Sequence, residues 1–358
     1  MPNAEIVIDG RGFPGWKSVR VSSSLEQVAD SFDLSFTDRF QRKPYPIDEG
    51  DACQIRLAGR LALTGFVDAV DFGYSASSHD FTCRGRSAAA DAVDASAIWR
   101  SGHWSNATIG RIAADLLEPF GLKFRTENLD TLATRPMDRH GIELGESVAE
   151  CLGRFARKIG AYITSEPDGT IVIGRAGSNV VPTGVLSGKA GNVLTASRSS
   201  DLSQRFSHYT ARGQRAGSST VFGDAARGQA GTAADPRVTR YRPLLFSVDG
   251  HADGERLERA AEWRRNTAAG RSLRVSYTVK GWTVGEGPAE QLWRPGQIVR
   301  VEDPLLRLTA IDLLLVSTTM TLDVSGGSRT ALELAPPESL QGTEPPKEPS
   351  VRDGVMSW

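Results

Sequence analysis

The chain has 358 residues, of which 39% are hydrophobic and 24% are charged. This composition excludes wholesale disorder, and the length predicts two to three domains of about 150 residues each. A formal net charge of −1 excludes a protein that binds polyanions through bulk positive charge.

The cysteines and the apolar runs narrow the class further. Cys53, Cys83 and Cys151 lack CxxC spacing, which argues against a disulfide framework and a cysteine-rich zinc site. The N-terminus has no secretory pattern, and the longest apolar run, residues 313–316, is far shorter than a membrane span of about 20 residues. We therefore expect a reducing compartment and no integral membrane association.

Residues 1–88 are predicted to form a first β-barrel domain. Short runs rich in β-branched residues, or alternating apolar and polar, occupy residues 5–9, 16–21, 53–57, 61–74 and 79–84. Clusters of Gly, Pro and Ser separate them, as expected for an antiparallel barrel or sandwich.

Residues 89–190 are predicted to form a small α+β module. Thr108 precedes apolar residues with helical spacing, and Ser147 with Glu150 forms a capping box at the start of a second helix. Residues 161–164 and 170–173 flank a Pro-Asp-Gly turn, which predicts a hairpin.

Residues 191–335 are predicted to form a second β-barrel domain. Its strands are expected at residues 273–284, 297–303, 311–323 and 328–334, after a helix at residues 254–268. A Gly/Ala-rich stretch, residues 211–236, predicts a loop that is mobile or ordered only by a neighbouring subunit. The fold class is therefore mainly β with an α+β module, and the two β blocks are interpreted as two copies of one barrel.

Residues 336–358 are predicted to be an extended tail, because five prolines disfavour regular structure. Trp358, beside Met356, either anchors in a pocket of another protein or belongs to a passive tail.

Two glycine-rich motifs are similar to nucleotide-binding motifs but lack the neighbouring residues that nucleotide binding requires. Gly10 to Gly15 match G-x-G-x-x-G, yet an alternating, strand-like run follows where a helix N-terminus is needed. Gly184 to Ala190 are one residue short of a P-loop and lack its Ser or Thr. Both are interpreted as turns.

No constellation of catalytic residues emerges from the sequence. The histidines, which show no metal-ligand spacing, are His79, His103, His140, His208 and His251. Carboxylate pairs such as Glu143 and Glu146 are common in a chain with 43 acidic residues. Trp99 and Trp104, beside Arg100 and His103, could stack on nucleobases, but packing between the first barrel and the module is favoured. We therefore predict no catalytic, cofactor-binding or metal-binding residues, and no enzyme.

The ordered set of segments resembles the Mu-type baseplate hub proteins of contractile phage tails, with late control D proteins and the N-terminal region of VgrG as more distant relatives. The resemblance rests on residues 6–22, 108–173 and 260–334. Within the last segment, Leu292 to Val301 resemble the family's strand entry and residues 311–334 its closing hairpin.

The resemblance implies a homotrimeric ring of two tube-like barrels per chain, which joins a hexameric tail tube to a trimeric spike. The implied partners are the tail tube protein, the central spike protein and other baseplate proteins, with DNA passing through the lumen without specific binding. The implied location is the virion tail baseplate, after assembly in the host cytoplasm. Arg294, Arg300 and Arg307 are expected to need partners at subunit interfaces. The alternatives are a tail-associated peptidoglycan hydrolase, a VgrG-like component of a contractile secretion system, and a carbohydrate- or partner-binding β module.

Overall fold

The computed structural model describes residues 4–38, 46–75, 79–129, 131–175, 185–187, 192–214, 230–251, 254–285 and 290–337. The strands are β1 (Ala4–Ile8), β2 (Arg11–Pro14), β3 (Ser18–Ser24), β4 (Ser31–Asp38), β5 (Ala52–Leu57), β6 (Arg60–Tyr74), β7 (His79–Ser87), β8 (His103–Ala107), β9 (Phe124–Glu127), β10 (Met137–Gly141), β11 (Tyr162–Ser165), β12 (Ile171–Gly174), β13 (Val185–Ser187), β14 (Val193–Ser200), β15 (His208–Gln214), β16 (Ala230–Ala234), β17 (Pro243–His251), β18 (Leu273–Lys280), β19 (Thr283–Val284), β20 (Gln291–Leu292), β21 (Ile298–Asp303), β22 (Leu308–Asp323) and β23 (Gly327–Ala335). The helices are α1 (Ala90–Asp94), α2 (Ile109–Leu117), α3 (Thr131–Thr134), α4 (Val148–Lys158) and α5 (Gly254–Ser272). No described helix has both the length and the apolar character needed to cross a membrane.

The first and last β blocks form one long sheet. Its strand order is β14-β18-β23-β22-β3-β4-β7-β6-β5-β1-β2, with β13 and β21 attached beside β22. The two blocks meet where β3 pairs antiparallel with β22, which places Val21 opposite Met320. Within the described residues this path of pairings stays open and does not return on itself.

One large hydrophobic core extends under both blocks. Residues from the first block, including Leu34 and Ile55, belong to the same buried cluster as Tyr277 and Leu332 from the last block. The alternation seen in the sequence explains this, because every second side chain of a strand points to the same face. In β18, for example, the alternate residues from Leu273 to Val279 are buried.

The α+β module has its own core. Helices α2 and α4 contribute to one buried cluster with Ile171 and Ile173 of the three-stranded sheet β11-β12-β9. The hydroxyl of Thr108 accepts a hydrogen bond from the Arg111 amide, and Ser147 and Glu150 form both bonds of the predicted capping box. Both helix starts and the β11–β12 hairpin are confirmed.

Residues 202–272 contain a third unit that the sequence did not predict. The sheet β16-β15-β17 packs against α5 around Tyr209, Ala211 and Leu257. Gly231 is required where α5 crosses β16, because a Cβ atom there would lie 2.0 Å from the Glu258 nitrogen. Arg205 and Asp235, both almost fully buried, form an ion pair of 2.8 Å within this unit.

This unit corrects two predictions. The loop predicted at residues 211–236 is wrong at both ends, since β15 extends to Gln214 and β16 begins at Ala230. Small residues in this stretch permit the close approach of α5. The same small residues are typical of loops, which is why the sequence predicted a loop. The predicted helix at residues 254–268 continues to Ser272. The middle of the predicted loop and residues 338–358 of the predicted tail lie outside the described residues. The fold class, mainly β with an α+β module, is confirmed.

Candidate functional site

The glycine-rich motif at residues 10–15 forms a hairpin. Strand β2 pairs back onto β1 with Ile8 opposite Arg11, and the turn residues Asp9 and Gly10 have φ values of 49° and 74°. Positive φ at both central residues is the geometry of a type I′ turn, which matches the twist of its strands. The interpretation as a turn is confirmed for this motif. In the second motif the described residues form β13, while Gly184 and residues 188–190 lie outside the described part.

The histidines lie on five different strands, β7, β8, β10, β15 and β17. Within the described ranges, no group of three His, Cys, Asp or Glu side chains could hold a metal ion.

His140 and Cys151 form a buried pair that superficially resembles a thiol–imidazole dyad. Cys151 Sγ lies 3.5 Å from His140 Nε2. Burial raises the pKa of the Cys151 thiol to about 12 and lowers the pKa of His140 to about 4. A nucleophilic cysteine needs the opposite shift and access to solvent. The pair is therefore part of the module core, where His140 also packs edge-on against Phe155.

The other sequence candidates also have structural partners. Arg154 binds both Glu143 and Glu146, at 3.3 and 2.8 Å, so this carboxylate pair is bridged by a guanidinium. Trp99 stacks on Trp104 with 4.5 Å between ring centroids, and both pack in the module core. The predicted packing is therefore confirmed, although it lies within the module and not at the junction with the first β block.

Two of the three arginines expected at subunit interfaces have partners within the chain. Arg300 pairs with Asp312 at 3.1 Å, and Arg294 donates a 2.6 Å hydrogen bond to the Leu61 carbonyl oxygen. The argument that these arginines need partners from another subunit is therefore wrong for Arg294 and Arg300. Arg307 is exposed, and the argument still applies to it.

A cavity of about 340 Å³ lies where the two β blocks and the module meet. The polar and aromatic residues of its wall include Ser23, Asp30, Arg125, Tyr162, Glu166, Trp293, Arg294 and Gln297. Asp30 is 5% exposed, and burial raises the pKa of this carboxyl to about 7 despite hydrogen bonds to Ser23 and Ser24. No local pattern in the sequence pointed to this cavity, because its wall comes from separate stretches of both β blocks and the module.

The long sheet contains a run of eight antiparallel strands, β14-β18-β23-β22-β3-β4-β7-β6. We call it the eight-strand segment. One of its faces packs on the shared core, and the opposite face, the polar face, carries mainly hydroxyl and charged side chains. One row across this face runs Thr195, Thr278, Ala331, Thr319, Ser22, Ser31, Arg86 and Phe66, and a second runs Lys280, Arg329, Thr321, Arg20, Asp33, Arg84 and Ala69.

Both ends of the eight-strand segment have unpaired edges in the described part of the chain. Strand β14 pairs only with β18. Strand β5 pairs with β6 as far as Phe66, so residues 68–74 of β6 pair only with β7. Exposed apolar side chains accompany these edges: Phe72 is 60%, Tyr74 is 89% and Leu194 is 48% exposed. Unpaired edges with exposed apolar side chains indicate interaction surfaces, since both features favour association.

Three family models match successive parts of the chain. Residues 3–87 match the N-terminal domain of the GpP-like baseplate assembly proteins of phage Mu, and residues 89–175 match the second domain of gp44-like baseplate hub proteins. Residues 254–343 match the fourth domain of the Mu phage baseplate assembly protein GpP.

Whole-chain relatives agree with these matches. The baseplate hub protein gp44 of Escherichia phage Mu is 30% identical over 336 residues, which cover 93% of this chain and 87% of the relative. The 43 kDa tail protein of prophage MuSo2 from Shewanella oneidensis has a TM-score of 0.79 and 30% identity, covering 95% of this chain and 99% of that protein. A tail protein from Neisseria meningitidis MC58 has a TM-score of 0.80 at 22% identity, with 95% and 98% covered, and shows the same fold.

A long sheet with unpaired edges and relatives from phage tails together define a tail baseplate component. The chain belongs to the Mu-type baseplate hub family.

Proposed function

We propose that the chain is a non-catalytic hub that assembles as a homotrimeric ring in the virion tail baseplate. The ring joins the tail tube protein to a central spike protein and contacts other baseplate proteins. It encloses part of the DNA channel. Assembly takes place in the host cytoplasm. Residues 1–88 and 191–335 supply the tube-like halves, and residues 89–190 lie outside or above the ring. The eight-strand segment, with one unpaired edge at each end, is the observation that carries this proposal.

The strand directions permit ring closure. All seven pairings inside the eight-strand segment are antiparallel, so its terminal strands β14 and β6 run in opposite directions. Strand β6 of one copy can therefore pair antiparallel with β14 of the next copy, without a change of pattern. Repetition of this contact between identical copies produces a closed ring when the rotations from each copy to the next add up to a full turn.

The two halves of the segment support a sixfold-like ring of three chains. Four strands, β3, β4, β7 and β6, come from the first β block, and four, β14, β18, β23 and β22, come from the last. The β3–β22 pairing already joins the two halves edge to edge within one chain. Three copies thus present six four-stranded units, which suits contact with a hexameric tube.

The channel width distinguishes three copies from two. With strands about 4.8 Å apart, three eight-strand segments give a backbone diameter of about 37 Å, and side chains about 5 Å deep leave a lumen of about 27 Å. Two copies leave only about 14 Å by the same arithmetic. Strand tilt widens both rings. A DNA double helix fits the larger lumen and not the smaller one.

Light scattering on the purified chain tests the proposal, with an expected mass of three times 38.5 kDa at tens of micromolar. The edge variants Phe72→Glu and Leu194→Glu place a charge beside each unpaired edge and are expected to remain folded and monomeric. Leu144→Glu is the matched control, since Leu144 is fully exposed on the module, away from both edges. A wild-type chain that stays monomeric, or edge variants that trimerise like the control, would contradict the proposal.

A further inference from the structure

The polar face of the eight-strand segment is uncovered across all eight strands. None of the residues in its two rows is buried, whereas the opposite face carries the shared core. Hydroxyl side chains dominate the centre, where Thr319 lies opposite Ser22 and Ser22 lies opposite Ser31. An antiparallel sheet tolerates one solvated face, and here that face is continuous across the joint between the two blocks.

The cations at the β3–β4–β7–β6 end of this face lie beside carboxylates. Arg84 forms an ion pair of 2.5 Å with Asp71 on the neighbouring strand. Asp33 lies between Arg20 and Arg84 in the strand register, directly opposite each. Arg86 pairs with Asp68 at 2.8 Å and with Asp94 at 2.6 Å. The positive charges of this region are therefore compensated locally.

We infer that the polar face is the wall of the DNA channel, and that the carboxylates of Asp33 and Asp71 offset the charges of the neighbouring Arg20 and Arg84 so that the wall does not retain DNA. This inference rests on the proposed trimeric ring, which turns one face of the sheet inward. DNA binding gains free energy from each phosphate that a cation neutralises, through release of the counterions. An arginine held by a neighbouring carboxylate must first give up that partner, so the gain is largely cancelled. Neutral hydroxyls line the centre of the wall, bind water and let the DNA slide.

The test removes the compensating carboxylates without removing any arginine. The double variant Asp33→Asn/Asp71→Asn removes the carboxylates beside Arg20 and Arg84, which leaves six arginines per trimer without that compensation. Asp48→Asn/Asp138→Asn is the matched control, with the same change of net charge at exposed positions outside the polar face. Preassembled samples are mixed with a linear DNA duplex and with a closed circular duplex, at 50 mM and 200 mM salt.

We expect wild type and control to bind linear duplex weakly, and the double variant to bind at least tenfold more tightly at 50 mM salt. Its affinity should fall with salt by a slope of about 0.9 per phosphate contacted. Circular duplex cannot thread a closed ring, so the variant should retain it no better than wild type. Equal DNA affinity of variant and control, or equal retention of linear and circular DNA, would overturn the inference. Light scattering on the same samples distinguishes failure of this inference from failure of the proposed function. A monomeric sample would refute the trimeric ring itself.

Discussion

At the scale of single residues, Asp30 lies where the three parts of the molecule meet. Its side chain reaches the cavity between the two β blocks and the module, and its backbone exchanges hydrogen bonds with Ser87. Burial is the largest influence on this carboxyl and raises its pKa to about 7, while Arg294 exerts only a weak opposing attraction. Folding thus favours the protonated acid.

The consequence is a pH dependence of stability that Asp30→Asn should remove. Between the ordinary pKa of 3.8 and the folded value of about 7, the unfolded chain releases the proton while the folded chain keeps it. The contribution of Asp30 to stability is therefore fully present below pH 3.8 and is lost as the pH rises to about 7. We expect Asp30→Asn to raise the free energy of unfolding by about 1–3 kcal/mol at pH 8 and to change it little at pH 4.

Denaturant unfolding at both pH values measures this difference, with Asp138→Asn as the control at an exposed carboxylate. A loss of stability at pH 8 in the Asp30 variant would show that the hydrogen bonds to the carboxylate outweigh its burial.

At the scale of elements, the β6–β7 pair depends on glycine where another chain segment comes close. A Cβ atom on Gly85 would lie 2.1 Å from the Phe66 carbonyl oxygen and 2.6 Å from the Phe32 ring. Gly73 lies on the same strand pair near the unpaired edge, and a Cβ atom there would meet only Asp80 Cβ at 3.8 Å. The two glycines therefore have different roles in one element.

Gly85→Ala should lower the free energy of unfolding by about 1–3 kcal/mol, because the added methyl group forces the ring or the backbone to move. Gly73→Ala should be neutral or slightly stabilising, since alanine restricts the unfolded chain more than glycine does. Thermal unfolding of both variants provides the comparison. Equal transition temperatures would mean that β6 and β7 adjust to the extra methyl group without cost.

At the scale of the whole molecule, the shared core predicts that the first and last β blocks unfold together. Leu34 in β4 belongs to this core, whereas Ile112 in α2 belongs to the core of the module. Leu34→Ala should cost about 2–5 kcal/mol and speed amide exchange in β22 and β23 as well as in β4. Ile112→Ala should cost a similar amount but speed exchange mainly in α2 and α4. Unchanged exchange in β22 and β23 of the Leu34 variant would show that the blocks unfold independently.

Local patterns in the sequence determined many elements of this protein. The Thr108 cap, the Ser147–Glu150 capping box, the Asp9–Gly10 turn and the alternation in β18 each act over a few residues, so their structures follow from neighbours along the chain. The same patterns carried the resemblance to the hub family, which the relatives confirm.

Only the tertiary structure decided which strands meet. The pairing of β3 with β22 joins residues about 300 positions apart, and an alternating strand does not specify its partner across such a distance. The unit around α5 was hidden because its small residues, such as Gly231, resemble a loop until a helix is seen against them. The Asp30 cavity and the polar face arise in the same way. Each is assembled from segments whose proximity is set by burial of the shared core, a property of the folded chain as a whole and not of any one stretch of sequence.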